Sequence, residues 1–129
     1  MSSLFSLFKR SEYQPIKDTL LSEEDFPISL NLKGETARTT TSQITKWNLQ
    51  LTITENKEII GSGSSLFNRK KYNFFIIGTI EDDKIKFIKS FPELKYHLKY
   101  NGTITKKKNK INNIQIFSDD SFGVLDVVN

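Results

Sequence analysis

The stretch "FFIIGTIEDDKIKFIKSF", Phe74 to Phe91, decides the fold. Apolar side chains recur at alternate positions on both sides of Asp82-Asp83, the period of a strand with one buried face, and the paired acids between them fit a tight turn. A two-residue turn there sets Ile80 against Ile85, Gly78 against Phe87, Ile77 against Ile88 and Phe74 against Phe91. A second turn at Pro92-Glu93 then sets Phe91 against Leu94, Lys89 against Tyr96, Phe87 against Leu98 and Ile85 against Tyr100. Both turns gather the large apolar groups on one face, so each supports the other's register.

Upstream, "TKWNLQLTIT" alternates Trp47, Leu49, Leu51 and Ile53 with polar residues. A turn at Asn56-Lys57 brings the next strand back with Ile53 facing Ile60, Leu51 facing Ser62, Leu49 facing Ser64 and Trp47 facing Leu66. Ser62 and Ser64 of "EIIGSGSSLF" then point inward and leave space that is filled either by large side chains from across the sheet or by a ligand. The "GSG" lacks the later glycine, the Lys-Ser/Thr pair and the helix of a phosphate loop.

Further strands are expected at Ile28 to Leu32, Lys110 to Phe117 and Ser121 to Val128, giving eight in all with those above. Connections this short join antiparallel neighbours, because a parallel crossover needs about a dozen residues. Closure removes the edges an open meander would expose. The expectation is an all-β chain: an eight-stranded antiparallel up-and-down barrel over residues 27–129, preceded by an arm or short helix over 1–26. "TARTTTS", Thr36 to Ser42, reads as a polar connector.

The 129 residues suit one domain. With no cysteine there is no disulfide framework and no thiolate metal site, which suits an intracellular protein. No apolar run reaches the roughly 18–20 residues of a spanning helix. The +4 charge rests on lysine in a chain rich in Asn and Ile, a bias that an AT-rich coding sequence also produces.

Trp47, "FIIGTI" (Phe75 to Ile80), "IKFIKSF" (Ile85 to Phe91), "YNGTI" (Tyr100 to Ile104) and "FGVLDV" (Phe122 to Val127), with an apolar-x-Gly-x-apolar rhythm around Gly78 and Gly102, resemble the calycin-type barrels, the lipocalin-like and avidin-like folds. The resemblance implies a barrel and a general capacity to bind, and names no ligand.

Carried onward, the register predicts an interior polar cluster of Lys89, Tyr96, Tyr100, Asn113, Gln115 and Asp126, with Phe122 and Val124 also inward. Together with Trp47, Ser62, Ser64 and Phe87 these are the candidate pocket residues. Alternatively the polar groups lie at the barrel mouths, where lysine reaches water. Outward go Phe75, Ile77, Ile88, Ile114, Ile116, Leu125 and Val127, more apolar surface than a free monomer carries. A bulge in the last two strands would instead turn the last four inward.

The candidate cover for that surface is the arm with Leu4, Phe5, Leu7 and Phe8, a protein partner or a second copy. The same arm also fits a membrane contact or an organelle-targeting segment. Two lysine-rich clusters, Arg69, Lys70 and Lys71, and Lys106, Lys107 and Lys108, are candidate contacts for RNA or acidic lipid if the meander puts them at one end.

The one histidine, His97, is expected outward between Lys95 and Lys99, and the acid pairs Glu23-Glu24, Asp82-Asp83 and Asp119-Asp120 fit turns and loops. No catalytic residue, metal or cofactor is expected. The sequence thus points to an intracellular, non-enzymatic barrel that works as a protein-interaction module or complex subunit. The alternatives are a carrier of a small apolar ligand and a polyanion binder.

Overall fold

A computed structural model describes residues 26–128. The strands are β1 (Ile28–Arg38), β2 (Ile44–Ile53), β3 (Glu58–Phe67), β4 (Lys70–Glu81), β5 (Lys84–Phe91), β6 (Tyr96–Lys107), β7 (Lys110–Phe117) and β8 (Ser121–Val128). Each pairs antiparallel with the next, and β8 pairs with β1, which closes the barrel. The fold is the all-β, eight-stranded antiparallel barrel expected from the alternation. The arm with Leu4, Phe5, Leu7 and Phe8 lies outside the described residues.

Inward positions pack a continuous core from Leu32 and Trp47 through Phe74, Ile85 and Ile104 to Leu125. Burying one such side chain contributes about 1.5–3 kcal/mol. The β4–β5 register is as expected, with Ile80 across from Ile85, Gly78 from Phe87 and Ile77 from Ile88. Asp82 takes the left-handed turn position, φ 56°.

Four expectations are corrected. Strand β1 runs on to Arg38, so Thr36, Ala37 and Arg38 belong to it rather than to a connector. Thr36 is held inside because its Oγ1 accepts the Trp47 indole N–H at 3.0 Å.

The β2–β3 turn uses three residues, with Thr54 N–H bonded to the Glu58 carbonyl and Lys57 left-handed at φ 63°. Ile53 therefore faces Ile59, Leu51 faces Gly61, Leu49 faces Gly63 and Trp47 faces Ser65. Ser62 and Ser64 point outward, and Gly61, Gly63 and Ser65 point inward. A Cβ on Gly63 would lie 1.9 Å from the Asn48 carbonyl oxygen. "EIIGSGSSLF" is thus a strand stripped of bulk because its neighbour's backbone passes so closely.

The β5–β6 connection is a 3₁₀ turn, Pro92–Leu94, followed by left-handed Lys95. It moves Phe91 opposite Tyr96, Lys89 opposite Leu98, Phe87 opposite Tyr100 and Ile85 opposite Gly102. A slip of two leaves every face unchanged.

Finally, the β6–β7 ladder shifts register between Thr105 and Lys106. This bulge turns Ile114, Ile116 and Leu125 inward, each no more than 2 % exposed, and half-buries Val127 against the core. Gln115, Asp126, Phe122 and Val124 accordingly face outward and are exposed. Asn113 is half-buried outside the core, where its Oδ1 accepts the Thr105 hydroxyl at 2.6 Å.

Candidate functional site

Connections alternate between the barrel's two ends. The end formed by the turns after β1, β3, β5 and β7 opens into a cavity of about 290 Å³. Its walls are Tyr72, Phe91, Leu98 and Tyr100, with Leu94 and Tyr96 at the rim and Lys89 deep inside. Strand β5 alternates Ile85, Phe87, Lys89 and Phe91 inward, so the register that buries the apolar groups also drives one lysine into the barrel. Lys89 is the only charged side chain buried among the described residues, at 1 % exposure.

Three rings surround its amine. Nζ lies 3.4 Å from the Trp47 ring centroid, 4.5 Å from that of Phe74 and 4.9 Å from that of Phe91. It donates a hydrogen bond of 2.6 Å to Ser65 Oγ. Among the described residues no carboxylate pairs with it. Arg38 and Asp120, the charged groups nearer the rim, pair with each other at 2.9 Å.

Burial pulls the Lys89 amine down from 10.5 to about 6. Each ring face favours the ammonium by about 0.5–2 kcal/mol, least for the two more distant phenyl rings, which offsets part of the several kcal/mol that burial costs an ion. Lys89 therefore titrates well below an ordinary lysine and is largely a neutral amine at pH 7.

The rings form one connected set. Trp47 meets Phe74 and Tyr100 edge-on at 5.4 and 5.2 Å, Phe87 stacks on Tyr100 at 5.4 Å, and Phe91 stacks on Tyr96 at 6.5 Å. Burial also raises the Tyr100 phenol above 10.0, its hydrogen bond to Ser121 acting the other way. It stays protonated and offers a hydrogen bond beside the cavity.

Of the pocket residues expected from sequence, Lys89, Tyr96 and Tyr100 line this cavity, and Trp47 and Phe87 stand behind it in the core. Ser62, Ser64, Asn113, Gln115 and Asp126 do not reach it. Sequence reasoning missed Thr36, Ser65, Tyr72, Phe91 and Leu98. Tyr72, Phe91 and Leu98 carried a signal, since they continue the inward parity of β4, β5 and β6 toward the same end. Ser65 became visible only once the turn at Lys57 was known.

Ser62 and Ser64 instead border a larger hollow of about 770 Å³ on the outer surface, with Asn31, Asn48, Gln50 and Asn73. It is wide open, whereas the mouth leads to the one buried charged side chain among the described residues. Phe75, Ile77 and Ile88 do face outward, at 55, 68 and 41 % exposure. His97 is exposed on β6. The basic clusters lie at opposite ends: Arg69, Lys70 and Lys71 flank the β3–β4 turn by the mouth, and Lys106, Lys107 and Lys108 lie by the β6–β7 turn at the far end. They do not share one end of the barrel.

Among the described residues no helix is long and apolar enough to cross a membrane. Compared with known proteins, the chain matches no family model, no curated protein and no solved structure.

Proposed function

We propose that the protein is a small-molecule-binding barrel of the calycin-like kind, working by binding rather than turnover. Its ligand is a compact, largely flat and apolar molecule whose single polar end reaches Lys89. The observation that carries this reading is the aromatic-walled mouth with one buried amine inside it that has no carboxylate partner among the described residues. Ligand pockets run from about 300 to 1,000 Å³, so a cavity of about 290 Å³ suits a body of one or two rings. Aromatic walls favour a flat ligand through edge and face contacts.

The test is titration with 2-naphthylmethanol, followed by NMR through the indole N–H of Trp47, the only tryptophan. A saturable shift is expected, and it should weaken at least about tenfold in Leu98→Trp, whose ring fills the cavity and removes about 1.4 kcal/mol or more of binding. No shift at any probe concentration would defeat the reading.

A second reading rests on the outer surface. Ile60, Ile77 and Ile88 lie in register across β3, β4 and β5, each at least 41 % exposed, with Phe75 beside them. Such a row suits a protein partner or a second copy of the chain. Sedimentation of the full chain should then reveal self-association or a retained partner, lost in Ile77→Asp. A monomer at every concentration with no retained partner would count against it.

A further inference from the structure

We propose that the ligand end reaching Lys89 is a carbonyl, and that the barrel captures a flat aromatic or conjugated aldehyde as a reversible imine on Nζ. This inference rests on the mouth being a ligand site and adds the chemistry of that site.

Three features of the geometry carry it. Lys89 lies inside the cavity rather than snorkelling out of it, at 1 % exposure. No carboxylate among the described residues pairs with its amine, so no counter-ion of the protein competes for the nitrogen lone pair. Around Lys89 the wall is ring-lined, with Trp47, Phe74 and Phe91 facing Nζ, while the polar lining residues Arg38, Gln43, Thr45 and Asp120 belong to the β1, β2 and β7 turn ends at the rim. Such surroundings are the setting in which a desolvated lysine becomes a nucleophile toward carbonyls.

The step balances without a further reagent. The Nζ lone pair adds to the carbonyl carbon, and the C=O π electrons move to oxygen. One proton passes from nitrogen to that oxygen to give the carbinolamine. The second nitrogen proton leaves with the hydroxyl as water while the C=N bond forms, so amine plus aldehyde gives imine plus water. Ser65 Oγ, 2.6 Å from Nζ, is positioned to relay the proton between the two atoms. When the imine is protonated, the faces of Trp47, Phe74 and Phe91 stabilise the resulting cation, which begins 3.4 to 4.9 Å from their centroids.

Burial, which lowers the amine's affinity for protons, supports the same assignment. At pH 7 an ordinary lysine is almost wholly ammonium and unreactive, so Lys89 gains on the order of tenfold or a few tens of fold in rate over surface lysines after allowing for its weaker basicity.

The experiment uses the full chain with 2-naphthaldehyde and sodium cyanoborohydride at pH 7, followed by intact-mass measurement and peptide mapping. One reduced adduct per chain is expected first, on Lys89, formed on the order of tenfold or a few tens of fold faster than any other. Lys89→Met should lose it, and Lys86→Met, altered on the outer face, should keep it at the original rate. Ser65→Ala should slow trapping without abolishing it.

Parallel titration with 2-naphthylmethanol separates the two claims. If the alcohol shifts the Trp47 signal but the aldehyde is never trapped on Lys89, the pocket stands and the imine is wrong. If adducts form only on surface lysines, the imine is likewise wrong. If neither probe moves the Trp47 signal, the ligand site itself falls.

Discussion

The two ends of this barrel are built from the same alternating strands and finish differently. At the far end Ile53, Ile59, Ile80, Ile85, Ile104 and Ile114 pack with no more than 5 % exposure each, and a hollow of about 700 Å³ at that end opens beside them, between Ile28, Leu30, Ile111, Val127 and the lysines of the β6–β7 turn. At the mouth the corresponding positions carry Tyr72, Phe91, Leu98 and Tyr100, which stand as walls around about 290 Å³. Side-chain shape, more than strand count, determines where a small barrel is solid and where it is hollow. Lys89 lies on the hollow side of that boundary, with Trp47 and Phe74 as its floor.

That contrast can be broken or sharpened by substitution. The largest effect belongs to the solid end: Ile59→Ala or Ile104→Ala, each at a fully buried position, should cost about 2–5 kcal/mol in denaturant unfolding, because the cavity left behind cannot collapse. Next comes Lys89→Met, which keeps the stem's packing and removes the buried amine. It should stabilise the fold by about 1–4 kcal/mol at pH 7.

The pH dependence follows from the same group. Its folded value, about 6, lies below the 10.5 of a free lysine, so between these the unfolded chain binds more protons than the folded one. Stability should therefore rise with pH across that window at up to about 1.4 kcal/mol per unit. The penalty is fullest below about 6 and absent above 10.5. Subtracting the profile of Lys89→Met isolates this contribution from that of every other group. The smallest effect belongs to the hollow end: Leu98→Ala widens a space already open and should cost less than about 1 kcal/mol. A loss there as large as at Ile59 would erase the distinction between the ends.

The sequence made the barrel legible but only half of the site, and two turns explain why. At Pro92 the connection is two residues longer than a minimal turn; the slip is even, and Lys89, Tyr96 and Tyr100 keep their face. At Lys57 it is one residue longer; the slip is odd, and Ser62 and Ser64 exchange places with Gly61, Gly63 and Ser65. The bulge after Thr105 does the same to Asn113, Gln115 and Asp126. A strand's period of two is plain in its composition, whereas one extra residue in a turn or bulge is set by local backbone conformation and reverses every face beyond it. Parity survived where the loop length changed by an even number, and the site residues found in advance are those on such strands.

The most direct test of this account is an NMR titration of the Lys89 side chain in the unliganded protein, followed at Cε and Nζ. The account predicts a midpoint near 6, several units below the ordinary 10.5, with the Trp47 indole signal moving in step. A midpoint at the ordinary lysine value would mean that water or an anion reaches the amine, and would contradict a neutral nucleophile at the base of the aromatic mouth.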